Sequence, residues 1–395
     1  MHSPAPGESP VQSRFIGIIA VLWLAGAAMR IPLLVVPPVI PLIHDDLRMT
    51  ETQVGALMGM PLVMFALAAI PGSLLIARLG AVRVAFLGLL VAAIGSAARG
   101  FAIDVWTLYA ATIIAGGGIS ILQPAMPTLA RMWAPVRTWF ATTAYTNGML
   151  VGATIGSATT IPLVLPLVGG NWRSDLLFWS VPIFAAALLF AGAVLRSPRP
   201  VSTGLPPRWW PDWKSPHLWL LGLTLGVNNA QFFAANAFVP DFLTSTGRAG
   251  LIAQTIGWLN GSQLLASVVL LVLAERMQRK KWPYTFFGPL TVVGVIGIVA
   301  GDGIWIVLSA ALLGFAASIT FVVSFGLPAI VSPPGEVHRV AGGMFTISYT
   351  IAVITPILCG GLWDITGVPW TAFVPIALCG IALTYFGARL ISHSE

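Results

Sequence analysis

"LAGAAMRIPLLVVPPVIPLI", residues 24–43, decides how this chain is read. The run is long and apolar enough to cross a bilayer, where about 20 such residues make a spanning helix. Yet it contains four prolines, Pro32, Pro37, Pro38 and Pro41, and one permanent cation, Arg30. An arginine at the centre of a membrane helix costs on the order of 2.5–3.5 kcal/mol on insertion scales. With a rise of about 1.5 Å per residue and an apolar run from 15 to 43, Arg30 is roughly 20 Å from either end, too far to reach the headgroups. Two roles remain. Either the guanidinium covers backbone carbonyls that the prolines leave without partners, or it faces a cavity and awaits an anion, for which its planar fork of donors is suited.

The rest of the composition agrees with a membrane setting. Of 395 residues 57% are hydrophobic and 8% charged, against roughly 25% charged in soluble chains. The apolar run that follows Arg14 exceeds the ~7–15-residue core of a signal peptide, so it reads as a retained helix. The net charge of +7 is scattered between apolar runs without a basic, aromatic-interleaved stripe, so nucleic acid is not an expected partner; the lipid bilayer is. Cys359 and Cys379 both fall inside apolar runs, which excludes a disulfide framework and a Cys/His metal site, and no cofactor or metal is expected.

Apolar runs fall at 15–43, 53–77, 82–101, 105–130, 139–167, 176–195, 216–240, 251–274, 284–301, 304–330, 340–363 and 369–391, an all-α membrane protein of twelve transmembrane helices. If the N-terminus is cytoplasmic, fifteen of the twenty Lys and Arg lie on the cytoplasmic side, and only Arg48, Arg99, Arg173 and Arg248 lie opposite. This positive-inside bias predicts both termini in the cytoplasm and a bacterial inner-membrane location. The expected organisation is a cytoplasmic tail (1–14), a six-helix half (15–195), a cytoplasmic linker (196–215), a second six-helix half (216–391) and a tail (392–395). The linker "RSPRPVSTGLPPRWWPDWKS" is too short for a nucleotide-binding domain, and the G-x-x-x-x-G-K-[ST] phosphate loop is missing, which excludes ATP-driven transport by this chain alone. Its tryptophans read as an interfacial anchor.

The halves read as copies. A shift of 202 residues sets Gly55 on Gly257 and Arg137 on Arg339; a shift of 201 sets Pro127 on Pro328; and a shift of 199, aligning Pro41 with Pro240, sets Arg30 opposite Asn229. Parallel halves around a midplane site are a recurrent transporter design.

With twelve spans, a basic mid-chain linker and the loop "ARLGAVR" (77–83), the chain resembles the major facilitator superfamily, with Ala77 in place of the usual acidic residue of that loop. "GAAMRIPLLVVPPVIPLI" resembles the N-x-R-P opening of the cyanate porter family, which includes cyanate and 2-nitroimidazole transporters, Ala28 and Ile31 departing from it. Similarity continues in "GGGISILQPAMPTLARMW" (116–133), "GVNNAQFFAANAFVPDFL" (226–243) and "VAGGMFTISYTIAVITPILCGGLWDITG" (340–367). The resemblance implies secondary transport of small anions or nitro-heteroaromatic compounds and a two-half, alternating-access fold.

All thirteen carboxylates and all five histidines map to loops or helix ends, so Arg30 is read as an unpaired charge at mid-depth. Polar residues at similar depth are Gln123, Tyr145, Asn147, Asn228, Asn229, Gln231, Asn260, Gln263 and Tyr349. Together with Arg30 they form the candidate substrate-binding set, Asn229 and Asn228 ranking next after the arginine. For any one amide an interhelical hydrogen bond is an equal alternative. Gly148, Gly152 and Gly156 read as a helix-packing stripe, and Gly116, Gly117 and Gly118 as packing or flexibility. The function expected is secondary transport of a small anionic or strongly dipolar solute by a monomer. The alternative is drug or nitro-aromatic efflux with Phe232, Phe233 and Trp258 lining the pocket. An intramembrane enzyme is disfavoured, since no acid or histidine is available at depth. Coupling through a proton carried with the anion, anion exchange or a peripheral acid such as Asp46 or Asp241 stays open.

Overall fold

The computed structural model describes residues 10–49, 51–196, 209–277, 279–333 and 335–392. Residues 1–9 with His2 and Glu8, the linker stretch 197–208 with Arg199 and Arg208, and residues 393–395 with His393 and Glu395 lie outside it. Regular structure among the described residues is helical throughout, as the bilayer demands of segments that must satisfy their own backbone.

The first crossing is broken. Helix α1 (Pro10–Leu34) stops at Val35 and α2 (Val36–Leu47) resumes; Pro37, Pro38 and Pro41 supply no N–H to the preceding turn. There follow α3 (Glu51–Leu79) and α4 (Ala81–Arg99). The next crossing combines α5 (Val105–Leu122) and α6 (Ala125–Trp133), interrupted at Gln123 and Pro124. Another combines α7 (Thr138–Thr159), a π-helical turn (Thr160–Val164) and α8 (Leu165–Leu167). Then come α9 (Trp172–Arg196), α10 (Pro216–Ser245), α11 (Ile252–Met277), α12 (Trp282–Ala300), α13 (Ile304–Val331), α14 (Val337–Thr366) and α15 (Phe373–Ser392). Among the described residues eleven stretches are long and apolar enough to cross a membrane. The twelfth crossing, α10, is as long at 30 residues, but Asn228, Asn229, Gln231 and Asn236 dilute its apolar character.

Packing repeats between the two sets of helices. In the first, α1 packs on α7, α3 and α4 on α5, and α4 on α9; in the second, α10 packs on α14, α11 and α12 on α13, and α12 on α15. Across the sets α3 meets α14 and α7 meets α11. The glycine stripe of α7 is where α1 comes closest. A methyl group on Gly148 would collide with the Trp23 carbonyl, one on Gly152 with Ala27 backbone, and one on Gly26 with the Tyr145 carbonyl. Small residues let two backbones touch in this way. Gly118 does the same for α5, against Ala92 and Gly88 of α4.

The two sets are joined at the face that carries the chain termini and parted at the other. At the joined face Gly342 of α14 sits against the Ala69 carbonyl and Ser73 of α3, and Gly326 of α13 against Thr142 of α7. Arg131 donates to the Ser332 carbonyl. The end of the linker ties both sets: Ser73 donates to the Trp209 carbonyl (2.8 Å) and Arg339 to that of Trp210 (2.6 Å). Toward the opposite face Gly59 of α3 and Gly257 and Gly261 of α11 look into open space, and Met58, Ile155 and Trp258 are exposed on helices that meet across the sets. The cleft between the sets therefore opens away from the termini.

Candidate functional site

Arg30 stands at the base of that cleft, half-buried, one turn before the break in α1. Its guanidinium carbon is 5.8 Å from the centre of the Phe321 ring on α13, a distance at which an aromatic face attracts a cation. It also interacts with the Tyr349 hydroxyl on α14, which is in turn reached by the Gln123 side chain. Among the described residues no carboxylate forms an ion pair with it.

The carbonyl left over at the α1 break is served by a different arginine. Arg99, at the end of α4, donates through Nη1 to the Pro32 carbonyl at 2.8 Å and through Nη2 to Ser96 Oγ at 3.3 Å. It is 2% exposed, whereas charge counting sets it with Arg48 among the cations of the non-cytoplasmic side. Two arginines thus stand near the break, a buried one closing backbone and a half-buried one facing the cleft. Among the carboxylates Asp175 is at a helix end, as expected, but it is not at the surface. It lies in the first turn of α9, fully buried, with both oxygens lacking a hydrogen-bond partner among the described residues. Sequence reading put it just outside the sixth span because the apolar run begins after it.

Below Arg30, toward the closed face, aromatic rings form a floor drawn from both sets of helices. Tyr349 packs edge-on to Phe65 of α3 (centroids 4.9 Å) and against Phe345; Phe345 meets Phe325, which meets Phe321 and Tyr145. Phe65, Phe325, Phe345, Tyr145 and Tyr349 are all at most 1% exposed. Gln123 reaches this layer because the α5–α6 interruption at Pro124 directs it inward, and its Oε1 has no hydrogen-bond partner among the described residues.

The amides divide into two groups. Asn228, Asn229 and Gln231 are almost fully buried between helices. Asn228 donates to the Ala317 carbonyl and accepts from Thr320 and Gln231; Asn229 donates to Ser348 Oγ. These bonds tie α10 to α13 and α14, and among the described residues Gln231 Oε1 has no hydrogen-bond partner. Asn147 accepts from Trp23 Nε1 (2.6 Å) and donates to Ser267, linking α1, α7 and α11. Asn260 and Gln263 are half-buried and form a relay with Asn236, in which Gln263 donates to Asn260 and Asn260 to Asn236 (2.8 Å). The structure thus brings Arg30, Gln123 and Tyr349 into one contact group, places Tyr145 beneath it, and sets the α10 amides behind it. Sequence reasoning missed Asn236, although it is one more amide on α10, and missed Phe65, Phe321, Phe325 and Phe345, which no polarity signal marks in an apolar helix.

Broken helices around a central, charge-bearing cleft between two like halves are a transporter architecture. The profile of the Major Facilitator Superfamily matches residues 20–259. The chain belongs to the Major Facilitator Superfamily. Among solved structures, the superfamily transporter FucP in the outward conformation aligns with a TM-score of 0.77 at 14% identity, over 95% of this chain and 99% of that one. Among relatives, an uncharacterized transporter, YycB, of Bacillus subtilis (strain 168) is 27% identical over 98% of this chain and 94% of its own length. The 2-nitroimidazole transporter of Escherichia coli (strain K12) is 25% identical over 95% of both chains. The cyanate transport protein CynX of the same strain is 24% identical over 94% of this chain and 96% of its own. The resemblance read from the Arg30 region is borne out, and this superfamily member is an integral membrane transporter, not an enzyme.

Proposed function

We propose that the protein is a secondary carrier for a small anionic or strongly dipolar solute and that Arg30 binds it. The observation that carries this reading is a guanidinium at the base of an open cleft, with an aromatic face and a hydroxyl as neighbours and, among the described residues, no carboxylate paired with it. Gln123 and Tyr349 orient the solute; the α10 amides keep that wall in place. Alternating access follows from rocking of residues 15–195 against 216–391 about the site, the pattern of parallel-repeat carriers. With the basic face in the cytoplasm by the positive-inside rule, both termini are cytoplasmic in a bacterial inner membrane and the cleft opens outward. A monomer suffices for this cycle.

The test is uptake into proteoliposomes of small inorganic anions, cyanate included. Arg30→Ala abolishes uptake in a protein that still folds, and Arg30→Lys, with a point charge in place of a planar fork, restores little. Full uptake by Arg30→Ala overturns the anion site.

A second reading, movement of nitro-heteroaromatic compounds, is favoured by the aromatic floor under Arg30. A flat ring stacks there while nitro oxygens meet the guanidinium. The relative named as a 2-nitroimidazole transporter supports it. Growth inhibition by 2-nitroimidazole in cells with and without the protein separates the two readings.

A further inference from the structure

On the outer surface of the second set of helices, α12 and α15 pack tightly along one edge and part along the other. The tight edge is set by Gly288 and Gly380, where an added methyl group would strike Thr384 and Thr291 respectively. The parted edge is a groove of about 830 Å³ lined by Thr285, Pro289, Val293, Ile381, Thr384 and Tyr385. Its walls are apolar except at one end, where Lys281 and Arg389 close it. From Lys281 to Val293 it runs roughly 18 Å along α12.

That end lies at the face bearing the chain termini, beside Arg276, Arg279 and Lys280. The Arg389 guanidinium lies 4.7 Å from the centre of the Tyr385 ring, which lines the groove, and this sets its charge at the groove mouth. An apolar channel at hydrocarbon depth with two cations at headgroup depth matches one chemistry. We infer that this groove binds an anionic phospholipid, its acyl chain along Pro289, Val293 and Ile381 and its phosphate between Lys281 and Arg389. Charge complementarity selects the occupant: a zwitterionic lipid brings its own cation to a mouth that already has several, whereas a phosphatidylglycerol-type headgroup does not. The inference is independent of what Arg30 binds.

Native mass spectrometry of the full chain, purified in detergent with added phosphatidylglycerol or phosphatidylcholine, reads the site. Phosphatidylglycerol should be retained at least about fivefold more than phosphatidylcholine. Lys281→Gln with Arg389→Gln should remove that preference, while Arg78→Gln with Arg83→Gln, the same change in net charge at a distant loop, should not. If the first pair does not purify, Lys281→Gln alone, at an exposed position, should reduce the preference. Thr285→Trp, which plugs the groove with its charges intact, should reduce retention too. Equal retention of the two lipids, equal loss from the distant pair, or binding of inorganic phosphate as strong as that of the lipid each overturns the assignment.

Discussion

A shift of 199 residues sets Arg30 opposite Asn229, yet their helices solve opposite problems. Arg30 sits on a helix that breaks one turn later, and its guanidinium faces the cleft. Asn229 sits on an unbroken helix that carries Pro240 without interruption, and its amide is spent on Ser348 behind the cleft wall. The first repeat therefore supplies charge and the second a neutral, hydrogen-bonded wall. The contacts beneath follow the same division. α1 meets α7 backbone to backbone through Gly26, Gly148 and Gly152, whereas at Gly226 the obstacle nearest to an added methyl group is the Cδ1 end of Ile351, a flexible side chain. A fixed charge needs a fixed mount, and the α1–α7 contact behind Arg30 is backbone against backbone.

The largest expected effect that breaks this comparison comes from the glycines. Gly148→Ala forces Trp23 and Ala27 backbone aside and should cost about 3 kcal/mol, while Gly226→Ala, which meets the movable Cδ1 of Ile351 first and then its Cβ and the Ser348 Cα at 3.2 Å, should cost less, about 1 kcal/mol. Thermal unfolding of both variants in detergent checks the ordering. Next is Arg99→Met, which keeps side-chain bulk but leaves the Pro32 carbonyl uncapped two residues from Arg30. It should weaken the apparent affinity for substrate about tenfold, read as a rise in KM for uptake. Asn228→Ala should cost about 1 kcal/mol of stability, since it leaves Gln231 Nε2 without its acceptor in a dry interface, while Thr320 keeps the Ala316 and Ala317 carbonyls. It should lower uptake far less than Arg30→Ala. The smallest effect belongs to Asn260→Ala in the Asn236 relay, within about 0.6 kcal/mol of stability by the same measurement.

Much of this was legible in the chain because the bilayer is a harsh solvent. All twelve apolar runs became helical crossings, and Arg30 announced itself as a charge that no carboxylate meets. What stayed hidden has physical reasons. The α1 break follows from prolines, but proline is also accommodated inside unbroken helices, as Pro240 is in α10. Arg99 lies at the end of its helix, where a cation reads as loop, and only folding turns it back onto Pro32. Asp175 was hidden by tryptophan, arginine and asparagine on its N-terminal side, which made the helix start look later than Trp172. The aromatic floor is invisible because phenylalanine is ordinary in any membrane helix. The deep amides were found by polarity, but polarity does not say which face of α10 they take.

The central claim is that Arg30 is a binding charge and not a structural one. Thermal unfolding of purified wild type and Arg30→Ala, each titrated with small anions and nitroheterocycles, tests it most directly, because a ligand that binds only the folded state raises the melting temperature. The account predicts one chemical class that stabilises the wild type and leaves Arg30→Ala unmoved, with the two ligand-free melting temperatures close together. Equal stabilisation of both proteins by that class, or collapse of the ligand-free variant rescued by Arg30→Met, would contradict it.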